Sequence, residues 1–406
     1  LGNLGWRTGQ FSVPFAEWND RFRDTARTFW LEDVDGGSDF GRISLQEMST
    51  RLCGSADLFA TEPGRGAPAS INFVSCHDGF TLTDLTRYRS KHNEANGENN
   101  NDGSSGNHSA HFGVEGVTDD PDVIAAREQA AMNMIGMLLL SLGTPMMLAG
   151  DEFRNTQDGN NNAYCQDNDI TWLKWDWMYS TNKTREMRRL ETVSRLVALR
   201  KSLDLYHHED FFTRLTQIGL LKPSSRVQWF LPDGTTPMER DWFDLGVRSF
   251  TMRLLSNSEV DVCIVVNGTA DDRTFRLPPD THWTPKWCSA EINGRRAGHG
   301  TQVEECDLNG DTTVWTQHVP DASETVLKMV EEVAMQRTES STENEADTIE
   351  FTMPVTDHAA NGTSSVPRDE VSADMPDAPV DDTPDTPVDD NVWTMPALSI
   401  TLMKQV

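Results

Sequence analysis

His77 and Asp78 are the residues of this sequence whose types and position first indicate chemistry. They follow the run 71–74, whose Ile, Phe and Val side chains are typical of a buried strand in a parallel sheet. Gly79 comes next and allows the chain to turn. In α/β folds, catalytic groups lie where a strand passes into the following loop. An imidazole and a carboxylate at this point therefore predict an active site, with an ordinary polar pair at a strand end as the simpler alternative.

Two polar loops rich in Asn, 92–109 and 159–172, follow this pair in the chain. Loops longer than about 12–15 residues in a compact domain tend to be functional or disordered. Neutral amides and aromatic rings suit neutral polyols, although any single Asn is also typical of a surface turn. Because the loops leave the ends of consecutive predicted strands, we predict a carbohydrate-binding cleft. The predicted substrate-binding residues are His92, Asn93, Asn96, Asn160, Asn161, Asn162 and Tyr164.

Metal-dependent phosphohydrolysis is a rival interpretation of the His-Asp pair. A metal site needs further ligands, and the other cluster of such residues is 207–210, beyond the last helix of the first half. The Asn-rich loops also lack the Lys and Arg that bind phosphate. Asp151 and Glu152 resemble an acid/base pair, but adjacent strand residues point to opposite faces, so at least one is expected to be structural. We predict neither a metal nor a cofactor.

Strands and helices alternate over the first half of the chain. Ser44, Asp120 and Thr184 are predicted helix N-caps, since each precedes an apolar pattern of helical period. The predicted helices cover 24–30, 45–53, 122–142 and 185–203, and the predicted strands cover 16–18, 71–74 and 145–148. This order is typical of a parallel β/α arrangement.

Short strand-like runs replace this alternation after residue 205. They cover 227–230, 248–255, 260–266 and 274–277, with no helical pattern before Glu324. These runs predict a small antiparallel β-sandwich. Residues 335–391 are acidic and rich in Pro, Thr and Ser, so we predict a disordered insertion that buries no core. The run 397–403, ALSITLM, predicts a final strand that completes the sandwich.

The composition limits the partners and the compartment. The chain of 406 residues has a formal net charge of −29, from 64 acidic and 35 basic residues. This charge repels nucleic acid and anionic membranes, so neither is a predicted partner. Six scattered cysteines without a C-x-x-C pair favour a reduced compartment, the cytoplasm, or a plastid in a photosynthetic source. The apolar stretch 132–148 contains polar residues, Gly and Pro, and predicts a buried helix rather than a membrane span.

Four segments resemble the isoamylase and glycogen-debranching branch of the α-amylase superfamily of glycoside hydrolases. They are INFVSCHDGFTLTDL (71–85), KHNEANGE (91–98), LLLSLGTPMMLAGDEF (138–153) and GNNNAYCQDNDITWL (159–173). Residues 15–30 and 51–60 resemble the segment that precedes them in that family. The similarity runs from about residue 6 to 280 and returns at the final strand, whereas 335–391 has no counterpart.

The resemblance implies a fold and a reaction. The fold is a (β/α)8 TIM barrel followed by an all-β domain, and the reaction is retaining hydrolysis of α-1,6 branch linkages in glycogen, amylopectin or limit dextrin. In this family an Asp nucleophile follows strand 4, a Glu acid/base follows strand 5, and a second Asp after strand 7 stabilises the transition state. Only the last element matches here, at Asp78 with His77 beside it. Residues 109–113, Ser-Ala-His-Phe-Gly, depart from the family's Ser-Trp-Asn-Cys-Gly, so one substrate contact is in doubt.

By this match the chain carries strands 6–8 of the barrel, without the nucleophile or the acid. It is therefore expected to be an N-terminally truncated, inactive fragment. The predicted domains are the C-terminal part of the barrel over 1–205, the β-sandwich over 206–334 with 392–406, and the insertion over 335–391. The alternative function is a non-catalytic α-glucan-binding or scaffold chain.

Overall fold

The computed structural model describes most of the chain outside the acidic region. The described residues are 8–31, 34–36, 41–60, 64–207, 211, 227–255, 261–279, 282–299, 302–305, 391–397 and 399–405. Every described residue belongs to one compact unit, which covers Leu1–Ala322 and Asp389–Val406. The predicted disordered insertion lies outside the described residues, except for Asn391.

Three short parallel strands form the sheet of the first half. They are β1 (Glu17–Asn19), β2 (Ser70–Asn72) and β3 (Thr144–Pro145). The strands lie side by side in chain order, with Trp18 opposite Ile71 and Ile71 opposite Thr144. Parallel neighbours need a crossover connection, and helices supply it between each pair. The predicted parallel β/α arrangement is confirmed, although β2 and β3 end earlier than the runs 71–74 and 145–148.

Side-chain caps determine where the longer helices begin. The helices of this half are α1 (Asp20–Leu31), α2 (Leu45–Leu52), α3 (Ala56–Phe59), α4 (Leu82–Leu85), α5 (Pro121–Leu140) and α6 (Arg185–Ser202). The side chains of Ser44, Asp120 and Thr184 accept hydrogen bonds from the first turns of α2, α5 and α6, as predicted. Helix α1 begins at Asp20 rather than at residue 24, because the Asn19 side chain accepts a 2.9 Å hydrogen bond from Phe22 N.

Antiparallel sheets make up the second half. Its elements are β4 (Val227–Phe230), α7 (Glu239–Phe243), β5 (Ser249–Leu254), β6 (Val262–Asn267), β7 (Arg273–Arg276), β8 (Trp283–Cys288), β9 (Arg295–Arg296), β10 (Gly298–His299), β11 (Glu304–Glu305), β12 (Val392–Met395) and β13 (Ser399–Gln405). One sheet has the order β4-β5-β6-β13-β8, a second has the order β10-β12-β7, and β9 pairs with β11.

The final strand completes the larger sheet, as the sequence predicts. Strand β13 lies between β6 and β8, with Ile400 opposite Val266 and Leu402 opposite Trp287. Strands β8 to β12 and helix α7 were not predicted. Strand β12 is only four residues long and borders the acidic region, so its pattern is too short to stand out. The expectation of no helix before Glu324 is wrong at α7, which is five residues long and lacks a helical period.

Helix α5 forms the centre of the core and is buried on nearly all sides from Arg127 onward. Among the described residues it is the one helix long and apolar enough to cross a membrane by length and composition, and 72% of that apolar window is buried inside the protein. At Gly136 an added Cβ would lie 2.7 Å from Ile400 Cγ2 and 2.9 Å from the Trp287 ring. The close approach of α5 to β13 and β8 therefore requires a residue without a side chain.

The five-stranded sheet is buried on both faces, which makes it the middle layer of the protein. One face, including Ile264, Ile400 and Leu402, joins the large core formed with α1, α5 and α6. The opposite face, including Val265 and Met403, packs against side chains of the three-stranded sheet. The predicted sandwich is therefore present, and its larger sheet shares one core with the helices of the first half.

Candidate functional site

The backbone carries His77 and Asp78 out of the core just beyond the carboxyl end of β2. Residues 72–76 are buried, whereas His77 and Asp78 are exposed. Gly79 follows with a φ of 83°, a conformation that disfavours a residue with a side chain. Its N–H donates a 2.9 Å hydrogen bond to Asn161 O in the loop after β3. The predicted doublet thus lies at the edge where the three parallel strands end, fixed against the next strand's loop.

Two neighbours of the doublet were not among the predicted site residues. The Cys76 thiol donates to Asp78 Oδ1 at 2.9 Å and lies 3.3 Å from Asp78 O. Burial, with the hydrogen bond to Asp78, raises the pKa of this thiol to about 11, so it remains a donor at neutral pH. The Trp18 ring meets the His77 ring edge-on, with centroids 5.6 Å apart. Both contacts restrict the orientation of the doublet.

Asn93 and Asn161 join the two polar loops by a reciprocal pair of hydrogen bonds. Asn93 Nδ2 donates to Asn161 Oδ1, and Asn161 N donates to Asn93 Oδ1, both at 2.9 Å. Asn161 Nδ2 also donates to Asn107 Oδ1 at 2.8 Å. An amide offers donors and an acceptor in one plane, which is what a bridge between two backbone segments needs.

A second set of amides surrounds Asp102. The Asp102 carboxylate accepts hydrogen bonds from Asn96 Nδ2 at 2.7 Å and Asn162 Nδ2 at 2.9 Å. These donors hold the pKa of Asp102 below its ordinary value. Asn160 Nδ2 donates to Asn96 Oδ1 at 2.9 Å, and Gln166 Nε2 donates to the same oxygen at 2.8 Å. The loops after β2 and β3 are therefore one hydrogen-bonded body.

The structure separates the predicted substrate-binding residues into two groups. Asn93, Asn160 and Asn161 are 0%, 2% and 2% exposed, so their side chains hold the loops together instead of facing a ligand. For these three, the predicted direct contact is replaced by a positioning role. The remaining four are accessible and their substrate contact stays a prediction; they are His92, Asn96, Asn162 and Tyr164. Tyr164 is the most exposed, at 70%.

The hydrogen bonds between Asn93 and Asn161 predict that Asn93→Asp lowers the stability of the chain. The new carboxylate oxygen would face Asn161 Oδ1 and Asp102 O, to which Asn93 Nδ2 now donates. Two lost hydrogen bonds and the repulsion should lower the free energy of unfolding by about 1–3 kcal/mol. Urea unfolding measures this, and hydrogen exchange at Gly79 N–H should accelerate. Asn101→Asp is the matched control, because Asn101 is exposed; equal losses in the two variants would contradict the bridge.

Asp151 is structural, in agreement with the expectation for the Asp151-Glu152 pair. Its carboxylate is buried, accepts a hydrogen bond from the Ser75 hydroxyl, and accepts another from Leu82 N at 3.0 Å. It thereby fixes both ends of the segment that carries Asp78. Glu152 Oε2 accepts from Gly150 N at 2.8 Å, a local contact within its own turn.

Asp151 also predicts a pH dependence of stability. Burial raises its pKa from 3.8 to about 7, although the hydrogen bonds from Ser75 and Leu82 act in the opposite direction. Between these values the folded chain binds a proton that the unfolded chain does not, so stability falls as the pH rises through this window. The Asp151→Asn variant lacks this proton. Relative to that variant, the parent chain should lose stability in urea unfolding as the pH rises from about 4 to 7, and a constant difference would contradict the burial.

Two further positioning residues, Arg27 and Asp35, were not predicted. Arg27 on α1 donates to Val74 O at 2.7 Å and to Asn107 O at 3.0 Å, which joins the segment after β2 to the first polar loop. The Asp35 carboxylate accepts from His111 N at 2.7 Å and Gly113 N at 2.8 Å, within the segment that departs from the family pattern. Only their contacts identify them, because an isolated Arg or Asp has no sequence signal of this role.

The rival metal-dependent site is not tested at its predicted second cluster. His207 is described, whereas 208–210 lie outside the described residues. Within the described part of the chain, one group of potential metal ligands is Cys76, His77 and Asp78, whose ligand atoms lie within 4.8 Å of one another. These three residues could hold a cation without help from the 207–210 cluster.

Comparison with known proteins gives sequence relatives and a similar fold. The chain is 38% identical over 310 residues to the glycogen debranching enzyme of Pectobacterium atrosepticum, an alignment that covers 76% of this chain and 43% of that protein. It is 41% identical over 253 residues to the glycogen operon protein GlgX homolog of Mycobacterium tuberculosis. That alignment covers 62% of this chain and 33% of that protein. The chain thus spans less than half the length of these relatives.

Among solved structures, GBS pullulanase SAP in complex with maltotetraose matches with a TM-score of 0.50 and 10% identity, over 96% of this chain and 39% of that chain. At this identity the likeness concerns the fold alone. No protein-family model matches the chain. The sequence relatives carry the assignment: the chain is homologous to the glycogen debranching enzymes and GlgX homologs, at 38–41% identity.

Proposed function

We propose that this chain is part of a hydrolase that cleaves α-1,6 branch linkages of glycogen or a related α-glucan. The observation that carries the proposal is the exposed His77–Asp78 doublet beyond the carboxyl end of β2, beside loops tied to the next strand. The identity to glycogen debranching enzymes supports the substrate class. Amylopectin and limit dextrin contain the same linkage and are included in the proposal.

Asp78 is proposed to stabilise the transition state. Cleavage of a glycosidic bond passes through an oxocarbenium-like state, in which positive charge develops on the sugar ring. A carboxylate that accepts hydrogen bonds from ring hydroxyls binds this state more tightly than the ground state. Cys76, which donates to Asp78 Oδ1, keeps the carboxylate oriented while leaving it exposed. The neighbouring His77 contributes a neutral hydrogen bond to the sugar.

The reaction is proposed to proceed with retention, as the family resemblance implies. An Asp nucleophile attacks the anomeric carbon while a Glu donates a proton to the leaving oxygen; the same Glu then deprotonates the water that releases the glycosyl-enzyme intermediate. Both groups belong to barrel strands that match no segment of this sequence. In this proposal β1, β2 and β3 are strands 6–8 of a (β/α)8 barrel, which their parallel pairing in chain order supports.

The accessible polar residues suit a neutral polysaccharide partner. His92, Asn96, Asn162 and Tyr164 offer amides, an imidazole and a phenol without a cluster of basic charge. The net charge of −29 disfavours nucleic acid and anionic membranes as partners. A cytoplasmic location is proposed for such an enzyme, or a plastid in a photosynthetic source.

The 406-residue chain alone is expected to release no reducing sugar from glycogen, amylopectin or pullulan, because two of the three carboxylates of the proposed reaction are missing. The same assay on a longer protein that adds the preceding barrel strands should detect debranching. Activity of the 406-residue chain above a blank would contradict the proposal that the nucleophile and the acid/base lie outside this sequence. Glucan binding without hydrolysis by the longer protein would contradict the proposed reaction and favour a scaffold.

A further inference from the structure

Cys76, His77 and Asp78 place three different metal-ligand types at one exposed point. Within the part of the chain that the structure describes, the Cys76 sulfur, a His77 ring nitrogen and an Asp78 carboxylate oxygen all lie within 4.8 Å of one another. The sulfur and Asp78 Oδ1 are already 2.9 Å apart. The exposure of His77 and Asp78 gives a cation in solution a direct path to the group.

The spacing of these atoms is close to that of a tetrahedral zinc site. Zinc binds Cys sulfur at about 2.3 Å, His nitrogen at about 2.0–2.1 Å and carboxylate oxygen at about 2.0–2.2 Å. Tetrahedral angles then separate neighbouring ligand atoms by roughly 3.4–3.6 Å. In the structure the three ligand atoms lie at most 4.8 Å apart, which is longer than this separation. The distance from the Cys76 sulfur to Asp78 Oδ1, 2.9 Å, is shorter than it.

The surroundings favour a preformed group over three independently moving side chains. Trp18 packs edge-on against the His77 ring, and the Gly79 N–H is bonded to Asn161 O across the loops. Cys76 is 8% exposed, and its sulfur is held by the 2.9 Å hydrogen bond to Asp78 Oδ1. Such restriction lowers the entropy that a cation must overcome when it orders its ligands.

We propose that Cys76, His77 and Asp78 form a binding site for a thiophilic divalent cation such as Zn²⁺, with the fourth position open to water. On binding, the Cys76 thiol releases its proton to solvent, and the metal–sulfur bond replaces the S–H···O hydrogen bond to Asp78. Three protein ligands and one water match the coordination of open zinc sites. The site is not a cofactor site of the proposed reaction, and the binding does not depend on that reaction.

A consequence follows that does rest on the proposed function. A cation held by Asp78 would occupy the carboxylate proposed to stabilise the transition state, so Zn²⁺ should inhibit the complete enzyme and a chelator should restore it. If Zn²⁺ bound to the triad without inhibiting hydrolysis, the assignment of Asp78 would be contradicted while the metal site would be supported. The two proposals are therefore separable by experiment.

Titration of the 406-residue chain with Co²⁺, as a spectroscopic substitute for Zn²⁺, tests the site. We expect a thiolate-to-cobalt charge-transfer band that saturates at one equivalent and disappears on addition of Zn²⁺. Cys76→Ser should abolish the band. His77→Gln and Asp78→Asn should weaken Zn²⁺ binding by more than about tenfold. Substitution of a group that only hydrogen-bonds to a metal ligand already lowers metal affinity by about 10–100-fold.

Cys165→Ser is the matched control, because Cys165 is a free, exposed cysteine outside the triad. This variant should keep the band and the affinity, and thermal melting should show that all variants fold like the parent chain. Absence of a charge-transfer band in the parent chain would overturn the proposal. So would a band that persists in Cys76→Ser or disappears in Cys165→Ser.

Discussion

Asp78→Asn in a complete debranching enzyme containing this chain is expected to lower turnover by about 30- to 1,000-fold. The substitution preserves size and removes the negative charge that is proposed to face the oxocarbenium-like transition state. Loss of one preorganised transition-state contact costs about 2–4 kcal/mol of barrier, which gives this range. Initial rates of reducing-end release from glycogen at saturating substrate measure the effect on turnover.

The same variant should leave stability almost unchanged. Asp78 is exposed, and its carboxylate accepts a hydrogen bond from the Cys76 thiol, which the Asn carbonyl can also accept. His77→Ala is the comparison variant and should lose less turnover, because it removes a neutral hydrogen bond rather than a charge. Near-normal turnover of Asp78→Asn, with an unchanged melting temperature, would show that the doublet does not act in the reaction.

Glu128→Ala should lower the free energy of unfolding by about 3–5 kcal/mol, the range found when one partner of a buried ion pair is removed. Glu128 on α5 is buried, and its carboxylate accepts hydrogen bonds from Arg189 at 2.7 and 3.1 Å and from Arg154 at 2.7 Å. Its removal would leave the buried Arg189 guanidinium without its carboxylate partner. Urea unfolding of the 406-residue chain measures the loss.

Glu191→Ala, on the neighbouring helix α6, is the matched control. Glu191 is 45% exposed in its pair with Lys183, at 2.7 Å, and exposed pairs contribute about 0–1 kcal/mol. Similar losses in the two variants would contradict the buried ion pair as the source of stability. Of the two stability losses, only that of Glu128→Ala should change strongly as the solution is made acidic.

Acid should reduce the Glu128 effect in a defined direction. Burial alone would raise the pKa of Glu128, but Arg189 and Arg154 more than offset it and hold the pKa below the ordinary 4.5. A depressed folded pKa means that the stabilisation is present above about 4.5 and is lost as the pH falls through the folded value. The difference between Glu128→Ala and the parent chain should therefore shrink in strongly acidic solution.

Local sequence signals determined most elements of this protein. The caps at Ser44, Asp120 and Thr184 satisfy N–H groups of their own first turns, so residue type and position are enough to predict them. The strand at 399–405 was predictable because its alternation and β-branched residues need no distant partner to be recognised. The position of His77 and Asp78 after an apolar run likewise indicated the sheet edge at which the structure places them.

The tertiary structure decided which polar side chains face solvent and which hold the loops. Asn93, Asn160 and Asn161 have the composition of a binding loop, yet they are buried because amides of the two loops satisfy one another. The hydrogen bond of Arg27 to Val74 and that of Cys76 to Asp78 could likewise not be predicted from the sequence. A hydrogen bond depends on where the folded chain brings its two partners. Residue type fixes the donors and acceptors that a side chain offers, whereas only the folded chain fixes the groups that receive them.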